Sequence, residues 1–390
     1  MPPYSSRLPW TYAENAFTRA VREKLSTGIR LFDLTISNPT RVLEDYPHEL
    51  IRECFRQIDD FTYDPDPLGS ISAREYIASY YAARGIGLAA KNLALAASTS
   101  EAYSILFKLL CDPGDEVLAP VPSYPLFEYL SALESVRIVP YRLRFDGSWH
   151  VDLRDLEDKL SPRTKAIVVV NPNNPTGSYL SCEEASALTR LGLPIISDEV
   201  FVEYPIAVTG REYRTFADQH ECLTFSLNGL SKMAAMPQMK LAWIALGGPQ
   251  GERAEARSRL ELLLDTYLSI ATPVQKALPG LWKIGESLQN TIGTRVTQNR
   301  ATLARLLDGT PAHCLYTGGG WSSVVRLPNV ISEEEWLKRL LDDYETVLQP
   351  GYFFDFEAEA HLVLSLITPE ATFAEGVSRL RDCVAKVTKA

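Results

Sequence analysis

One lysine, Lys232, is the residue best placed for chemistry in this chain of 390 residues. It follows Ser231 directly, and a second cation, Lys240, comes eight residues later. A lysine that is buried or flanked by a cation loses proton affinity and becomes a nucleophile near neutral pH. Such an amine forms a Schiff base with an aldehyde, and Ser231 and Lys240 can neutralise a phosphate on the same molecule. The alternative is a solvated surface charge, as most lysines are.

A second phosphate-binding segment is predicted at residues 98–101. Ser98 is followed three residues later by Glu101, which is the pattern of a capping box and predicts that a helix begins here. Free N–H groups and the positive end of the helix dipole attract anions, and the hydroxyls of Thr99 and Ser100 can add to them. A plain helix cap without a ligand is the alternative.

Three further side chains each follow an apolar run. The ring of Tyr124 can stack on a flat cofactor or simply pack in a loop. Asn174 presents an amide, although its Pro- and Asn-rich segment also suits a turn. A carboxylate such as Asp198, directly after a buried strand, costs free energy unless a cation meets it. A protonated pyridine nitrogen is such a cation, and the pair strengthens the ring as an electron sink.

The elements that must position these residues follow an α/β pattern. Short apolar runs alternate with helical segments between about residues 91 and 246, which predicts βαβ units in a doubly wound sheet. Several runs are apolar at successive positions, as is typical of parallel strands buried on both faces. Such sheets bind ligands at the carboxyl ends of their strands. The runs are 93–97, 116–119, 137–140, 166–170, 194–197, 223–227 and 241–246.

A smaller second domain is predicted after about residue 280, where long helices surround strands at 321–327 and 361–367. We assign residues 46–279 to a large domain with three α/β/α layers and a mostly parallel sheet. Residues 1–45 and 280–390 form the smaller α+β domain in this interpretation, which includes the N-terminal segment.

The composition excludes several classes of function. A net charge of −10 disfavours nucleic acid and anionic membranes as partners. Six cysteines without a C-x-x-C pair indicate reduced thiols rather than a disulfide or zinc framework, and no metal site is expected. The N-terminal residues contain no apolar signal region, and no apolar run approaches the length of a membrane span. The sequence therefore predicts a cytoplasmic protein.

Taken in order, these motifs resemble those of the class I/II aminotransferases, which are fold-type I enzymes that depend on pyridoxal 5'-phosphate (PLP). The resemblance runs from about residue 31 to residue 367 and includes a Tyr-x5-Gly segment that begins at Tyr63. It implies an aspartate-aminotransferase-like fold. It also implies exchange of an amino group between an amino acid or amine and a 2-oxo acid.

The resemblance implies a role for each residue. Lys232 is the Schiff-base lysine and then the base that moves the proton between the substrate Cα and cofactor C4′. Asp198 pairs with the pyridine nitrogen, Asn174 bonds to O3′ of the ring, and Tyr124 stacks on it. Tyr63 reaches the phosphate of the neighbouring subunit, so a homodimer with shared active sites is expected. The remaining phosphate ligands are Thr99, Ser100, Ser231 and Lys240.

Three cofactor positions depart from the family pattern. Ser98 stands where glycine is usual, which is tolerable if its backbone angles are ordinary. Lys240 replaces an arginine, and so keeps the charge but loses the bidentate fork. Phe201 replaces a tyrosine whose hydroxyl normally donates to O3′. The loss of that donor destabilises the phenolate form of the cofactor.

The largest departure lies at Val363, where the family normally has an arginine that binds the substrate α-carboxylate. Either another group does this work or the substrate carries no carboxylate there. Asn38 and Arg41, in the segment that enters the active site of relatives, are the candidate substitutes. A turn residue and a solvated charge are the alternative interpretations of these two.

Two other functions stay open on the sequence alone. The same scaffold supports C–S β-lyases, decarboxylases and side-chain cyclases, because the chemistry branches after Cα deprotonation. A PLP-sensing regulator would need an added DNA-binding domain, for which this chain has neither room nor basic charge. Trp10, Tyr12, Tyr63, Tyr124, Tyr267 and Trp321 are candidates for an aromatic substrate pocket or for core packing.

Overall fold

A computed structural model describes residues 5, 7, 14–210 and 212–389, and within them the chain folds as helices packed on three sheets. The helices are α1 Ala16–Ser26, α2 Pro39–Val42, α3 His48–Arg56, α4 Ile71–Ala82, α5 Thr99–Leu110, α6 Leu126–Leu133, α7 Leu153–Asp158, α8 Cys182–Arg190, α9 Leu230–Met233, α10 Gln250–Asp265, α11 Thr272–Leu307, α12 Glu333–Tyr344 and α13 Glu370–Lys389. The strands are β1 Phe32–Asp33, β2 Leu93–Ala96, β3 Glu116–Val121, β4 Arg137–Phe145, β5 Trp149–Val151, β6 Thr164–Val170, β7 Ile195–Asp198, β8 Thr224–Gly229, β9 Ala242–Gly247, β10 His313–Cys314, β11 Ser322–Arg326, β12 Thr346–Val347, β13 Gln349–Pro350 and β14 His361–Ser365.

The large sheet has eight strands in the order β2-β9-β8-β7-β6-β3-β4-β5. Strands β4, β3, β6, β7 and β8 pair in parallel, as predicted, whereas β9 lies antiparallel between β8 and β2. The connection from β8 to β9 contains only the four-residue α9 and a 3₁₀ turn, so the chain returns antiparallel. Because β9 is antiparallel to both neighbours, β2 runs in the same direction as β8.

The sheet is the middle layer of three. Along β6, Ala166 and Val168 pack in one apolar cluster, whereas Ile167 and Val169 pack in another. Successive side chains of a strand point to opposite faces, so the two clusters cover the two faces. Helices α5 and α10 contribute to the first cluster and helices α7 and α8 to the second. The predicted α/β/α layering is confirmed.

Strand β5 is an element that the sequence did not predict. It pairs antiparallel with β4 through a short turn at residues 146–148. Gly147 has φ +117° there, a backbone conformation that residues with a side chain rarely adopt. The run that forms β5 is only three residues long, which is too short for a clear periodic pattern.

The smaller sheets lie in the C-terminal third and include the N-terminal segment. A four-stranded sheet has the order β10-β11-β14-β13, and β1 pairs in parallel with β12. The strands predicted at 321–327 and 361–367 correspond to β11 and β14. The predicted boundary between residues 279 and 280 lies inside α11, which continues across it, so the exact division into domains stays a prediction.

Two further expectations from the sequence concern the cysteines and membrane-spanning segments. All six cysteines are free thiols. Among the described residues, no helix combines the length and apolar character that crossing a membrane requires.

Helix α11 packs closely against the segment that carries Lys232. A Cβ atom added at Gly285 would lie 2.5 Å from Cβ of Ala234, two residues beyond Lys232. The same atom at Gly293, two turns further along α11, would meet nothing within 4 Å among the described residues. Gly285 therefore allows the close approach of the helix, and Gly293 does not contribute to it.

We predict opposite effects on stability for alanine at these two glycines. Gly285→Ala should destabilise the protein by about 1–3 kcal/mol, because backbone atoms of Ala234 must move. Gly293→Ala should stabilise it by up to about 1 kcal/mol through helix propensity alone. Thermal unfolding of both variants beside the wild type measures this. Equal shifts in the two variants would show that the close approach is not restrictive.

Candidate active site

Most of the predicted cofactor-binding residues lie at one edge of the large sheet. Strands β2, β3, β6, β7 and β8 run in the same direction, so their carboxyl ends share that edge. The helix that begins at Thr99 follows β2, Tyr124 follows β3, and Asn174 follows β6. Asp198 ends β7 and Lys232 follows β8. This edge is where doubly wound sheets bind ligands.

Lys232 lies in α9, is partly buried, and has its ammonium group beside two aromatic rings. The Nζ atom is 5.0 Å from the ring centre of Trp321 and 5.7 Å from that of Phe201. The hydroxyl of Tyr204 donates to the Lys232 carbonyl oxygen at 2.7 Å and so fixes the backbone there. Burial lowers the pKa of Lys232, and the charge of Asp198 opposes this effect only in part. A larger fraction of the Lys232 amine is therefore neutral and nucleophilic near neutral pH than in a solvated lysine.

Asp198 is held by two hydrogen bonds. Its Oδ1 accepts from the Val200 N–H at 3.2 Å, and its Oδ2 accepts from the Tyr103 hydroxyl at 3.2 Å. Burial raises the pKa of Asp198 to about 6, against the opposing effects of these donors and of Lys232. The sequence reasoning missed Tyr103. A signal was present, since Tyr103 lies one helical turn after Thr99 and so on the same helix face.

Two adjacent asparagines in the loop after β6 have different contacts. Asn173 is buried, and its Nδ2 donates to the Pro122 carbonyl at 3.0 Å and to Thr176 Oγ1 at 2.8 Å, which ties two loops together. Asn174 accepts a hydrogen bond on Oδ1 from Ser322 Oγ at 3.1 Å. This contact orients the Asn174 amide and leaves its N–H groups to donate to a ligand.

Helix α5 begins with a cap that differs from the predicted capping box. Ser98 Oγ accepts from the Glu101 N–H at 3.1 Å, as predicted. The Glu101 carboxylate instead accepts from the Ala97 N–H at 2.6 Å and from Ser269 Oγ at 2.8 Å. The predicted reciprocal bond from the Ser98 N–H to the Glu101 carboxylate is therefore wrong. Ser269, distant in sequence, supplies a partner that the local pattern could not show. Ser98 has φ −162°, extended backbone that any residue adopts, so the departure from glycine causes no strain here.

The other predicted phosphate ligands lie beside α9. Ser231 is part of this helix, and the Leu230 N–H donates to the Leu241 carbonyl at 2.9 Å, which brings the following loop back to it. Lys240 is exposed, and its backbone has a left-handed conformation with φ 51°. A side chain in this region costs roughly 1 kcal/mol or more, so the surrounding fold imposes this conformation on Lys240.

The four aromatic candidates that the structure describes differ in burial and do not line one common pocket. Trp321 is buried beside Lys232, whereas Tyr63, Tyr124 and Tyr267 are 66%, 47% and 49% exposed. Tyr63 lines a cleft with residues 264–275 rather than contacting Lys232. Partial burial and the charge of Asp198 raise the pKa of Tyr124. Trp10 and Tyr12 lie outside the described residues.

The position of Val363 is apolar. The side chain is 1% exposed and packs in a cluster with Trp149 and Phe354, which joins the β4–β5 hairpin to the four-stranded sheet. Asn38 caps α2, since its Oδ1 accepts from the N–H and the hydroxyl of Thr40. Arg41, at the end of α2, is exposed.

The family model for aminotransferase class I and II matches residues 24–380 of this chain. The chain belongs to the aminotransferase class I and II family. A curated relative, the glutamate-pyruvate aminotransferase AlaA of Haemophilus influenzae, is 27% identical over 369 residues, which cover 90% of each chain. AlaA of Escherichia coli K12 is 30% identical over 294 residues, which cover 73% of this chain and 72% of the relative.

Solved structures show the same fold. An alanine aminotransferase from Pyrococcus furiosus has a TM-score of 0.85 and 23% identity, with 98% of this chain and 100% of the other covered. An aspartate aminotransferase from Thermus thermophilus has a TM-score of 0.82 and 22% identity at the same coverage. The predicted aspartate-aminotransferase-like fold is confirmed. The chain is an aminotransferase, and the enzymes of its family depend on PLP.

This aminotransferase also buries a second carboxylate beside Asp198. Glu199 is 2% exposed, and its oxygens accept from Ser226 Oγ, from Thr215 Oγ1 and from the Phe216 N–H at 2.8–2.9 Å. These bonds join β8 and the loop at residue 215 to the end of β7. Burial raises the pKa of Glu199 to about 7 from an ordinary 4.5.

We predict that Glu199 makes stability depend on pH. The folded state holds this proton more tightly than the unfolded chain does, so stability decreases as pH rises from about 4.5 to about 7. Glu199→Gln mimics the protonated form and should remove this decrease. Relative to the wild type, the variant should gain on the order of 2 kcal/mol between about pH 5 and pH 8. Urea unfolding at both pH values measures the gain, and a constant difference would contradict the prediction.

Proposed function

We propose that this aminotransferase holds PLP at the carboxyl edge of its large sheet, with Lys232 as the residue that binds the cofactor aldehyde. The observation that carries the proposal is the convergence there of an amine with a lowered pKa, a buried carboxylate and a helix N-terminus. These groups match an aldehyde, a protonated ring nitrogen and a phosphate. When bound, PLP supplies an electron sink that stabilises negative charge at the substrate Cα.

The chain itself supplies the proton transfers and the orientation. Lys232 would hold the cofactor aldehyde through its amine and, when free, would move a proton between the substrate Cα and C4′ of the cofactor. Its lowered pKa suits it to act as a general base near neutral pH. Asp198, held by its two hydrogen bonds, would accept a hydrogen bond from the protonated ring nitrogen. The oriented N–H groups of Asn174 donate to O3′.

The phosphate ligands in this proposal come from two helices and one loop. The N-terminus of α5 offers backbone N–H groups together with the hydroxyls of Thr99 and Ser100. Ser231 in α9 adds a hydroxyl, and Lys240 in the segment after α9 adds a cation. Ser98 contributes through its backbone, since its hydroxyl is used by the cap. Tyr124, whose pKa is raised in part by the charge of Asp198, stacks on the cofactor ring.

We further propose a cytoplasmic homodimer with shared sites. Tyr63 supports this proposal, since it is 66% exposed in a cleft that also includes Ser269, the partner of Glu101 in the first turn of α5. An exposed tyrosine beside that turn suits contact with the phosphate of a second subunit. The division into residues 46–279 and 1–45 with 280–390 belongs to the same proposal.

The substrate carboxylate needs a ligand other than Val363. That side chain lies in an apolar cluster, where a charged group would lose its hydration without compensation. Within the described part of the chain, Asn38 uses only its Oδ1 in the α2 cap, so its amide N–H₂ group can donate to a ligand. Arg41 is exposed at the end of the same short helix. We propose that these two residues bind the carboxylate of the amino donor and of the 2-oxo acid acceptor.

A half-reaction screen tests the proposal. Purified holoenzyme is mixed with amino acids, including glutamate, alanine and tyrosine, and separately with amines that lack a carboxylate, while cofactor absorbance is followed. At least one α-amino acid should convert the cofactor to its pyridoxamine form in equal amount. Lys232→Ala should abolish the conversion. Failure of every amino compound would overturn the assignment.

The role of Arg41 is tested with a matched arginine. Arg41→Ala should raise the KM for the active amino acid at least tenfold, since a charge-assisted pair is worth about 1.5–3 kcal/mol. Arg52→Ala, which removes an exposed arginine from the next helix, should leave KM unchanged. Conversion only of amines without a carboxylate, or an unchanged KM in Arg41→Ala, would remove Arg41 from the site.

We predict that Phe201 raises the pH at which the bound cofactor loses its proton. No hydroxyl at this position donates to O3′, so the deprotonated phenolate form lacks one hydrogen bond. Phe201→Tyr should therefore lower the midpoint of the absorbance titration, by about one pH unit for one charge-assisted hydrogen bond. Identical titrations of the wild type and the variant would contradict this.

A further inference from the structure

Tyr103 is a buried side chain in direct contact with Asp198. The residue is 3% exposed, and its hydroxyl donates to Asp198 Oδ2 at 3.2 Å. It lies in α5, one turn after Thr99, and so projects from the helix whose N-terminus we propose for the phosphate. The contact joins α5 to the end of β7.

The ring of Tyr103 is fixed by aromatic packing that does not involve the hydroxyl. Its centre lies 5.2 Å from that of Phe127 in an edge-on arrangement and 6.0 Å from that of Phe107. These contacts hold the phenol in one orientation before any ligand binds. Removing the hydroxyl therefore leaves the packing of the ring in place.

The hydroxyl remains a donor under all working conditions. Burial and the nearby Asp198 charge raise the pKa of Tyr103 well above its ordinary value, so it keeps its proton. A phenol that stays protonated donates one hydrogen bond to the ionised carboxylate and favours that form. Asp198 Oδ1 already has the Val200 N–H, and each oxygen keeps a lone pair for a further donor.

We propose that Tyr103 is a positioning residue, which keeps the Asp198 carboxylate ionised and oriented for the ring nitrogen of the cofactor. The inference rests on the proposed function, because it takes Asp198 as the partner of that nitrogen. One rigid helix then serves two ends of the cofactor. Its N-terminus holds the phosphate, and Tyr103, about 6 Å further along the axis, acts through Asp198.

Few other groups act on Asp198 within the described chain. Lys232 faces it from α9, and Tyr124 lies within electrostatic range after β3. Glu199, although adjacent in sequence, is bonded to Ser226 and other groups instead. Lys232 and Tyr103 therefore carry the stabilisation of the ionised form by side chains, and only Tyr103 stays unchanged when the lysine reacts.

Tyr103→Phe is the direct test, with Tyr141→Phe as its matched control. Tyr141, in β4 of the large sheet, is also buried, but its hydroxyl donates to the Val168 carbonyl. For Tyr103→Phe we expect the acid limb of the kcat profile to move up by about one pH unit, since loss of a donor raises the Asp198 pKa. We also expect the apparent Kd for PLP, measured by equilibrium dialysis, to rise about fivefold. Tyr141→Phe should change neither quantity.

A second substitution keeps the test decisive if Tyr103→Phe does not fold. Site-specific 3-fluorotyrosine in place of Tyr103 retains the shape and makes the hydroxyl a stronger donor. It should move the acid limb to lower pH. An acid limb and PLP affinity equal to those of the wild type in either variant would overturn the role of Tyr103.

Asp198→Asn separates this inference from the proposed function. If Asp198→Asn strongly weakens PLP binding but Tyr103→Phe does not, only the role of Tyr103 is overturned. If Asp198→Asn also leaves PLP binding and kcat unchanged, the pairing of Asp198 with the ring nitrogen is overturned as well. Parallel effects in both variants, larger in Asp198→Asn, support the inference.

Discussion

Burial of two opposite charges at the end of adjacent strands is the constraint on which the site depends. Lys232 lies after β8, and Asp198 lies at the end of β7. Desolvation lowers the pKa of Lys232 and raises that of Asp198, so both move toward neutral pH. Neither group would be tolerated there without partners. The Tyr103 hydroxyl, the Val200 N–H and the charges themselves provide those partners. The free energy of burying them shifts both pKa values toward neutral pH, which suits the roles that we propose for them.

The layered fold makes this arrangement possible. Parallel strands place their carboxyl ends along one edge, so groups far apart in sequence meet without long loops. Close packing from outside the sheet then holds the lysine segment, through Gly285 of α11 against Ala234 and through Tyr204 against the Lys232 carbonyl. Glu199 secures the end of β7 from the sheet interior. The site is therefore as rigid as the core behind it.

The departures from the family pattern concern the surroundings of the cofactor more than its attachment. Phe201 and Trp321 enclose the Lys232 amine with apolar rings, which adds to the lowering of its pKa. Val363 belongs to an apolar cluster that joins the β4–β5 hairpin to the four-stranded sheet. An apolar side chain at this position cannot pair with a carboxylate, which is why we propose Asn38 and Arg41 for that role. Members of one family can thus keep one chemistry and differ in substrate.

The layered fold, nearly all strands of the large sheet and the order of the motifs that identify the family could be predicted from the sequence. These follow from apolar runs and turn residues, which are local properties. Three contacts required the folded structure: Glu101 bonds to Ala97 and Ser269, Tyr103 bonds to Asp198, and Ser322 orients Asn174. Each of these bonds depends on where helices and strands pack, because its strength requires correct distance and direction between groups remote in sequence. The chemistry that we propose for Lys232 therefore follows from the sequence, whereas the contacts around it required the structure.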